Sequence, residues 1–79
     1  MAGLKHGIGD TVQIKSREWY DKNKDKNGDV RFGFGKEPFI SKMAVYCGQK
    51  AWIKKDDVGD YELDVDRGGW FWNDLMLED

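Results

Sequence analysis

Cysteine, proline and histidine occur once each in the 79 residues, and long apolar runs are missing altogether. A lone cysteine, Cys47, forms no internal disulfide, so the covalent staples of small secreted domains are excluded and the chain reads as cytoplasmic. No stretch approaches the roughly 20 apolar residues of a membrane helix, and residues 1–10 lack the hydrophobic segment of a secretory leader. One Cys and one His leave a four-ligand zinc site short of donors. They offer no nucleophile and base pair either: His6 falls in a lead, residues 1–7, expected to be flexible, and Cys47 on an apolar stripe where a thiol is inert. The sequence reads as non-enzymatic, with no cofactor and no metal.

What the chain does contain is aromatic and charged. Hydrophobic residues make up 39%, aromatic residues 14% and charged residues 35%, enough for one folded domain, residues 1–79, whose core depends on its rings. The net charge of -2 hides an asymmetry. Residues 1–50 hold ten Lys and Arg against six Asp and Glu, whereas residues 51–79 hold three against nine.

The clearest local signal is residues 61–72. Tyr61, Leu63 and Val65 alternate with Glu62, Asp64 and Asp66, the period of a strand with one buried face. Arg67-Gly68-Gly69 supplies turn chemistry and Trp70-Phe71-Trp72 a second strand, which together predict a β-hairpin. An even-numbered loop puts Trp70 and Trp72 on the face of Leu63 and Val65, with Phe71 beside Asp64 and Asp66. Burying two indoles outweighs burying one phenyl at about 25 cal/mol per Å².

Residues 8–15 predict a first strand with Val12 and Ile14 inward. Residues 49–55 predict another, with Ala51 and Ile53 inward and Trp52 outward, before a turn over 56–60. Pro38 suits a helix start, and Phe39, Ile40, Met43, Ala44 and Cys47 recur at helical spacing up to Gly48. This predicts a short α-helix over 39–47 plugging one end of a barrel. Residues 73–77 predict a closing turn capped by Asn73 or Asp74, with Leu75 or Met76 reaching the core. Residues 16–35 form a long polar connection carrying Trp19-Tyr20 and Phe32/Phe34, aromatics that either pin it to the core or form a binding surface. Within it, residues 23–29 imitate a calcium loop, with Gly28 at the sharp turn. Phe34 stands where a bidentate carboxylate is required, so the stretch reads as a solvated loop.

Short strands, one long early loop and one short helix fit a small barrel. The succession Gly9-Asp10-Thr11-Val12-Gln13-Ile14, Gly48-Gln49-Lys50-Ala51-Trp52-Ile53, Tyr61 to Asp66, and Trp70-Phe71-Trp72-Asn73-Asp74-Leu75-Met76 resembles bacterial Src-homology-3-like (SH3-like) β-barrels. The flavour is that of small phage or mobile-element proteins of gut bacteria. The resemblance implies a mainly β monomer and carries no activity. Eukaryotic members that bind proline-rich peptides use an acidic early loop and a proline-tyrosine pair, whereas this early loop is rich in lysine.

The functional expectation is a protein-interaction module contacting an unknown protein partner through Trp19, Tyr20, Trp52 and Phe71, rimmed by charge. The alternative is single-stranded nucleic-acid binding through loop 15–36, where Lys15, Arg17, Lys22, Lys24, Lys26 and Arg31 surround Trp19 and Tyr20. A pI near 5.3 and the intervening Asp21, Asp25 and Asp29 rank it second.

Overall fold

Four strands form one antiparallel sheet in the computed structural model, which describes residues 6–33, 35–57, 60–66 and 69–78. They are β1 (Thr11–Ile14), β2 (Lys50–Asp57), β3 (Asp60–Leu63) and β4 (Leu77–Glu78), in the order β3-β2-β1-β4. The protein is mainly β, as the period of two predicts. Val12 and Ile14 on β1, and Ala51 and Ile53 on β2, point into the core, while Thr11, Gln13, Lys50 and Trp52 between them face out. Among the described residues, no helix is long and apolar enough to cross a membrane.

The core is built around Phe39. Its ring lies edge-on to Trp19 at 5.2 Å and to Trp72 at 5.8 Å, and tilted against Tyr20 at 5.6 Å. Phe39 thereby joins the long connection to the C-terminal part of the chain. Tyr46 continues the chain of rings, 6.1 Å from Trp72 and 6.3 Å from Trp70. Beneath them lie Ile14, Ile53, Tyr61, Leu63, Met76 and Leu77, all fully buried.

Several expectations are corrected. The long connection is not helix-free: α1 (Arg17–Asn23) occupies it. Ser16 caps its start, its hydroxyl accepting from the Trp19 N–H at 3.1 Å, and two pairs spaced i,i+4, Arg17–Asp21 and Glu18–Lys22, brace its surface. Second, the predicted α-helix over 39–47 is a shorter 3-10 helix, Ser41–Tyr46, burying Met43 and Ala44. Phe39 cannot join it, because its N–H and C=O are exchanged with those of Val30 at 2.9 and 2.8 Å in an isolated β-bridge. Gly48, where the helical spacing ends, takes the left-handed conformation with φ +81°, and its N–H donates to the Lys15 carbonyl at 2.9 Å.

Third, the strand predicted over 61–66 stops at Leu63, and Asp64–Asp66 turns into a 3-10 helix. Side-chain acceptors account for the turn: Asp64 Oδ1 takes the Trp52 N–H at 2.9 Å, and Asp66 Oδ2 takes the Trp70 N–H and the Trp72 indole N–H at 2.9 and 3.1 Å. The hairpin shrinks to one bridge between Tyr61 and Trp72. The predicted facing survives, since Trp72 is fully buried, Phe71 exposed and Trp70 half-buried. The turns at Val58-Gly59 and Arg67-Gly68 lie outside the described residues, as do Phe34 and residues 1–5.

Fourth, the sheet is open and does not close into the hydrogen-bonded barrel expected from the sequence. Its two edges are nonetheless close along the chain. From the Trp72 bridge on the β3 edge, the backbone runs through Asn73 and the 3-10 turn Asp74–Met76 straight into β4, which pairs with β1. Asn73 caps that turn, its Oδ1 accepting from the Leu75 N–H, and Met76 is the residue that reaches the core. His6 and Gly7, assigned by the sequence to a flexible lead, are docked. His6 lies edge-on to Tyr61 at 6.1 Å and the Gly7 N–H donates to Asp10.

Candidate functional site

β2 is an interior strand, so its outward residues stand in the middle of the sheet's outer face. Alternation puts Lys50, Trp52 and Lys54 there, and Trp52 is 53% exposed. Thr11 lies opposite it on β1. The register between β2 and β3 slips between Ile53 and Lys55, a bulge that leaves Lys54 and Lys55 both exposed. None of Lys50, Lys54 and Lys55 forms an ion pair among the described residues. A depression of about 270 Å³ adjoins Lys50, walled by His6, Thr11, Val12, Gln13 and Glu78. Thr11 thus borders both the indole and the depression.

Of the four aromatics expected at a partner surface, Trp52 is on this face and Phe71 is exposed beyond the β3 edge. Phe71 is 46% exposed, and its neighbour Trp72 pairs inward with Tyr61, so Phe71 faces outward with β3 between it and Trp52. Trp19 is half-buried on α1, edge-on to Phe39 and stacked 6.4 Å from Phe32. Tyr20 is enclosed, and its hydroxyl donates to the Gly28 carbonyl at 2.6 Å. The structure therefore places Trp19 and Tyr20 as pins of the long connection, apart from the Trp52 face. Sequence reasoning did not single out Lys50, Lys54 and Lys55 as site residues. The signal was the same alternation that turned Trp52 outward.

The cations expected to meet nucleic acid are largely occupied. Lys15 pairs with Glu78 at 3.7 Å, Arg17 and Lys24 with Asp21, Lys22 with Glu18, and Arg31 with Asp25 and Asp29 at 3.3 and 3.4 Å. Lys26 alone of the six has no ion pair among the described residues. The stretch that imitates a calcium loop uses its carboxylate internally. Asp25 Oδ1 accepts from the N–H groups of Asn27 and Asp29, and these bonds, Asp29 foremost, with Arg31 adding its charge, hold its carboxyl below the usual carboxylate range. Among the described residues, no group of three or more His, Cys, Asp or Glu is placed to hold a metal ion.

Two reactive side chains remain. Cys47 is half-buried and burial pushes its thiol up, away from the thiolate. Tyr61 is fully buried and donates to Asp74 Oδ1 at 2.8 Å; burial first, then that hydrogen bond, raise its phenol well above the ordinary value. His6 Nε2 stands 3.9 Å from the same Asp74 oxygen. The raised Cys47 thiol and Tyr61 phenol both stay in their neutral forms, an arrangement suited to packing. Comparison with protein-family models, characterised proteins and solved structures returns no match for this chain.

Proposed function

We propose that the protein is a non-enzymatic interaction module with an SH3-like arrangement, binding a protein partner through the outer face of its sheet. The observation that carries this reading is Trp52, an indole more than half exposed in the middle of a sheet. Exposed tryptophan is costly to keep in water and is among the residues that most often dominate protein interfaces. Phe71 extends the apolar surface beyond β3. The architecture is supported by the connectivity, in which one 3-10 turn carries the chain from the Trp72 bridge to β4 beside β1.

The test compares proteins retained from an extract of the native host by the immobilised domain and by Trp52→Ala, with and without nuclease, circular dichroism confirming that both are folded. The reading expects a protein retained by the wild type, lost with Trp52→Ala and indifferent to nuclease. Retention that ignores the substitution, or vanishes with nuclease, refutes it.

A further inference from the structure

We infer that the protein partner adds an extended segment to the open side of β1 at Thr11, in the lane beyond the end of β4. This rests on the reading of the protein as an interaction module and names the backbone chemistry that holds the partner. The alternation of hydrogen bonds fixes which way Thr11 faces. The Ile53 N–H donates to the Asp10 carbonyl at 3.0 Å and the Ile14 N–H to the Gln49 carbonyl at 2.9 Å, so Asp10, Val12 and Ile14 turn their backbone groups toward β2. Thr11, Gln13 and Lys15 turn theirs the other way, and the N–H of Trp52, opposite Thr11, goes to Asp64 instead. On that other side the Lys15 N–H donates to the Met76 carbonyl at 2.9 Å, and Gln13 lies opposite Glu78, where β4 ends. Thr11 comes next, and no described residue of β4 pairs with it. Its N–H and C=O form an open rung.

The same place is hollow. The depression of about 270 Å³ has Thr11, Val12, Gln13 and Glu78 among its walls. The Gln13 side chain leaves it open by leaning toward the far end of β1, where its amide donates to the Gly48 carbonyl at 2.8 Å. A residue paired with Thr11 shares its outward face and stands diagonal to Gln13, so its side chain enters the depression. Charge selects no sign of partner, because Lys50 and Glu78 flank Gln13 on either side. The backbone does the selecting. The lane is short, bounded by Glu78 at one end and at the other by the turn in which the Asp10 N–H donates to the Gly7 carbonyl at 3.0 Å. It takes a few extended residues with a free N–H and C=O at the Thr11 rung. β1 of a second copy does not fit, since its own open side carries β4.

The experiment is a titration of isotope-labelled protein with a short capped peptide of alternating threonine and valine, and with the same peptide methylated at every backbone nitrogen. The unmethylated peptide is expected to shift the Thr11, Gln13 and Glu78 amides saturably and to slow exchange at Thr11; the methylated one is expected to do neither. Thr11→Pro removes the N–H that points into the lane, a place in a sheet that tolerates proline, and should weaken binding about fivefold, the net contribution of one hydrogen bond. Thr11→Val keeps the N–H and should bind as the wild type does. Circular dichroism checks both variants, and if Thr11→Pro unfolds, the methylated peptide decides alone. Equal shifts by both peptides overturn the inference. Shifts confined to the Trp52 indole N–H and the amides of residues 50–55 also overturn it, while the protein-partner reading stands. Thr11 shifts that appear on concentrating the protein alone make the occupant a second copy and overturn it as well. Absence of any shift overturns the added segment too, and leaves the protein-partner reading to the Trp52→Ala retention test.

Discussion

Trp52 and Trp72 are the same residue type doing opposite things. Trp72 is fully buried, its ring against Phe39 and Tyr46 and its indole N–H on Asp66. Trp72→Ala should cost about 3 to 5 kcal/mol in urea unfolding, the range for removing a core aromatic. Trp52→Ala should stay within about 1 kcal/mol, since more than half of the indole is already in water. Equal losses would make Trp52 part of the core and remove the candidate site. Tyr61 supplies a pH signature. Because its folded-state phenol is raised, the unfolded chain ionises first, so this stability is full below about pH 10 and falls as pH rises toward the folded value. Wild type should lose stability faster than Tyr61→Phe across that alkaline window, measured by denaturant unfolding at stepped pH. Parallel curves would show that burial does not raise the Tyr61 phenol in the folded protein.

At the scale of elements, the departures from the sequence reading share a cause. α1 has no apolar period to betray it and is specified by Ser16 and by charge pairs along its surface. Ser16→Ala should cost about 1 kcal/mol and speed amide exchange at Trp19, whose N–H loses its acceptor. Unchanged exchange there would mean that the cap does not hold the helix start. The apolar residues over 39–47 satisfy helical spacing, but the pattern is silent about Val30, which claims the Phe39 backbone. Asp64 and Asp66 alternate correctly for a strand, and the sequence does not say that their carboxylates will seek the amides of Trp52 and Trp70. What was legible is what alternation alone decides: the facing of Val12, Ile14, Ala51, Trp52, Ile53, Phe71 and Trp72. Side-chain capture of distant backbone groups lies beyond any local pattern. Asp25 belongs to the same class, and Asp25→Ala should speed exchange of the Asn27 and Asp29 amides by removing their shared acceptor. Protection retained in that variant would mean that the turn is held by its backbone bonds alone.

For the whole molecule, the two halves that differ in charge are interleaved in one sheet, β1 lying between β2 and β4. Because five of the six loop cations are ion-paired, single-stranded oligonucleotide should associate with the loop over 15–36 weakly and without saturation at physiological salt. Tight binding with a log-log salt slope of about -3, the mark of four neutralised phosphates, would move the function to nucleic acid. The position of β1 also sets a timetable for the ribosome. Both its neighbours come from later in the chain, and at roughly 5 to 20 residues per second the ribosome finishes β4 several seconds after β1. Until β2 is made, Val12 and Ile14 have no strand to pair with, and the charges that follow them, Lys15, Arg17 and Glu18, oppose pairing with another nascent chain.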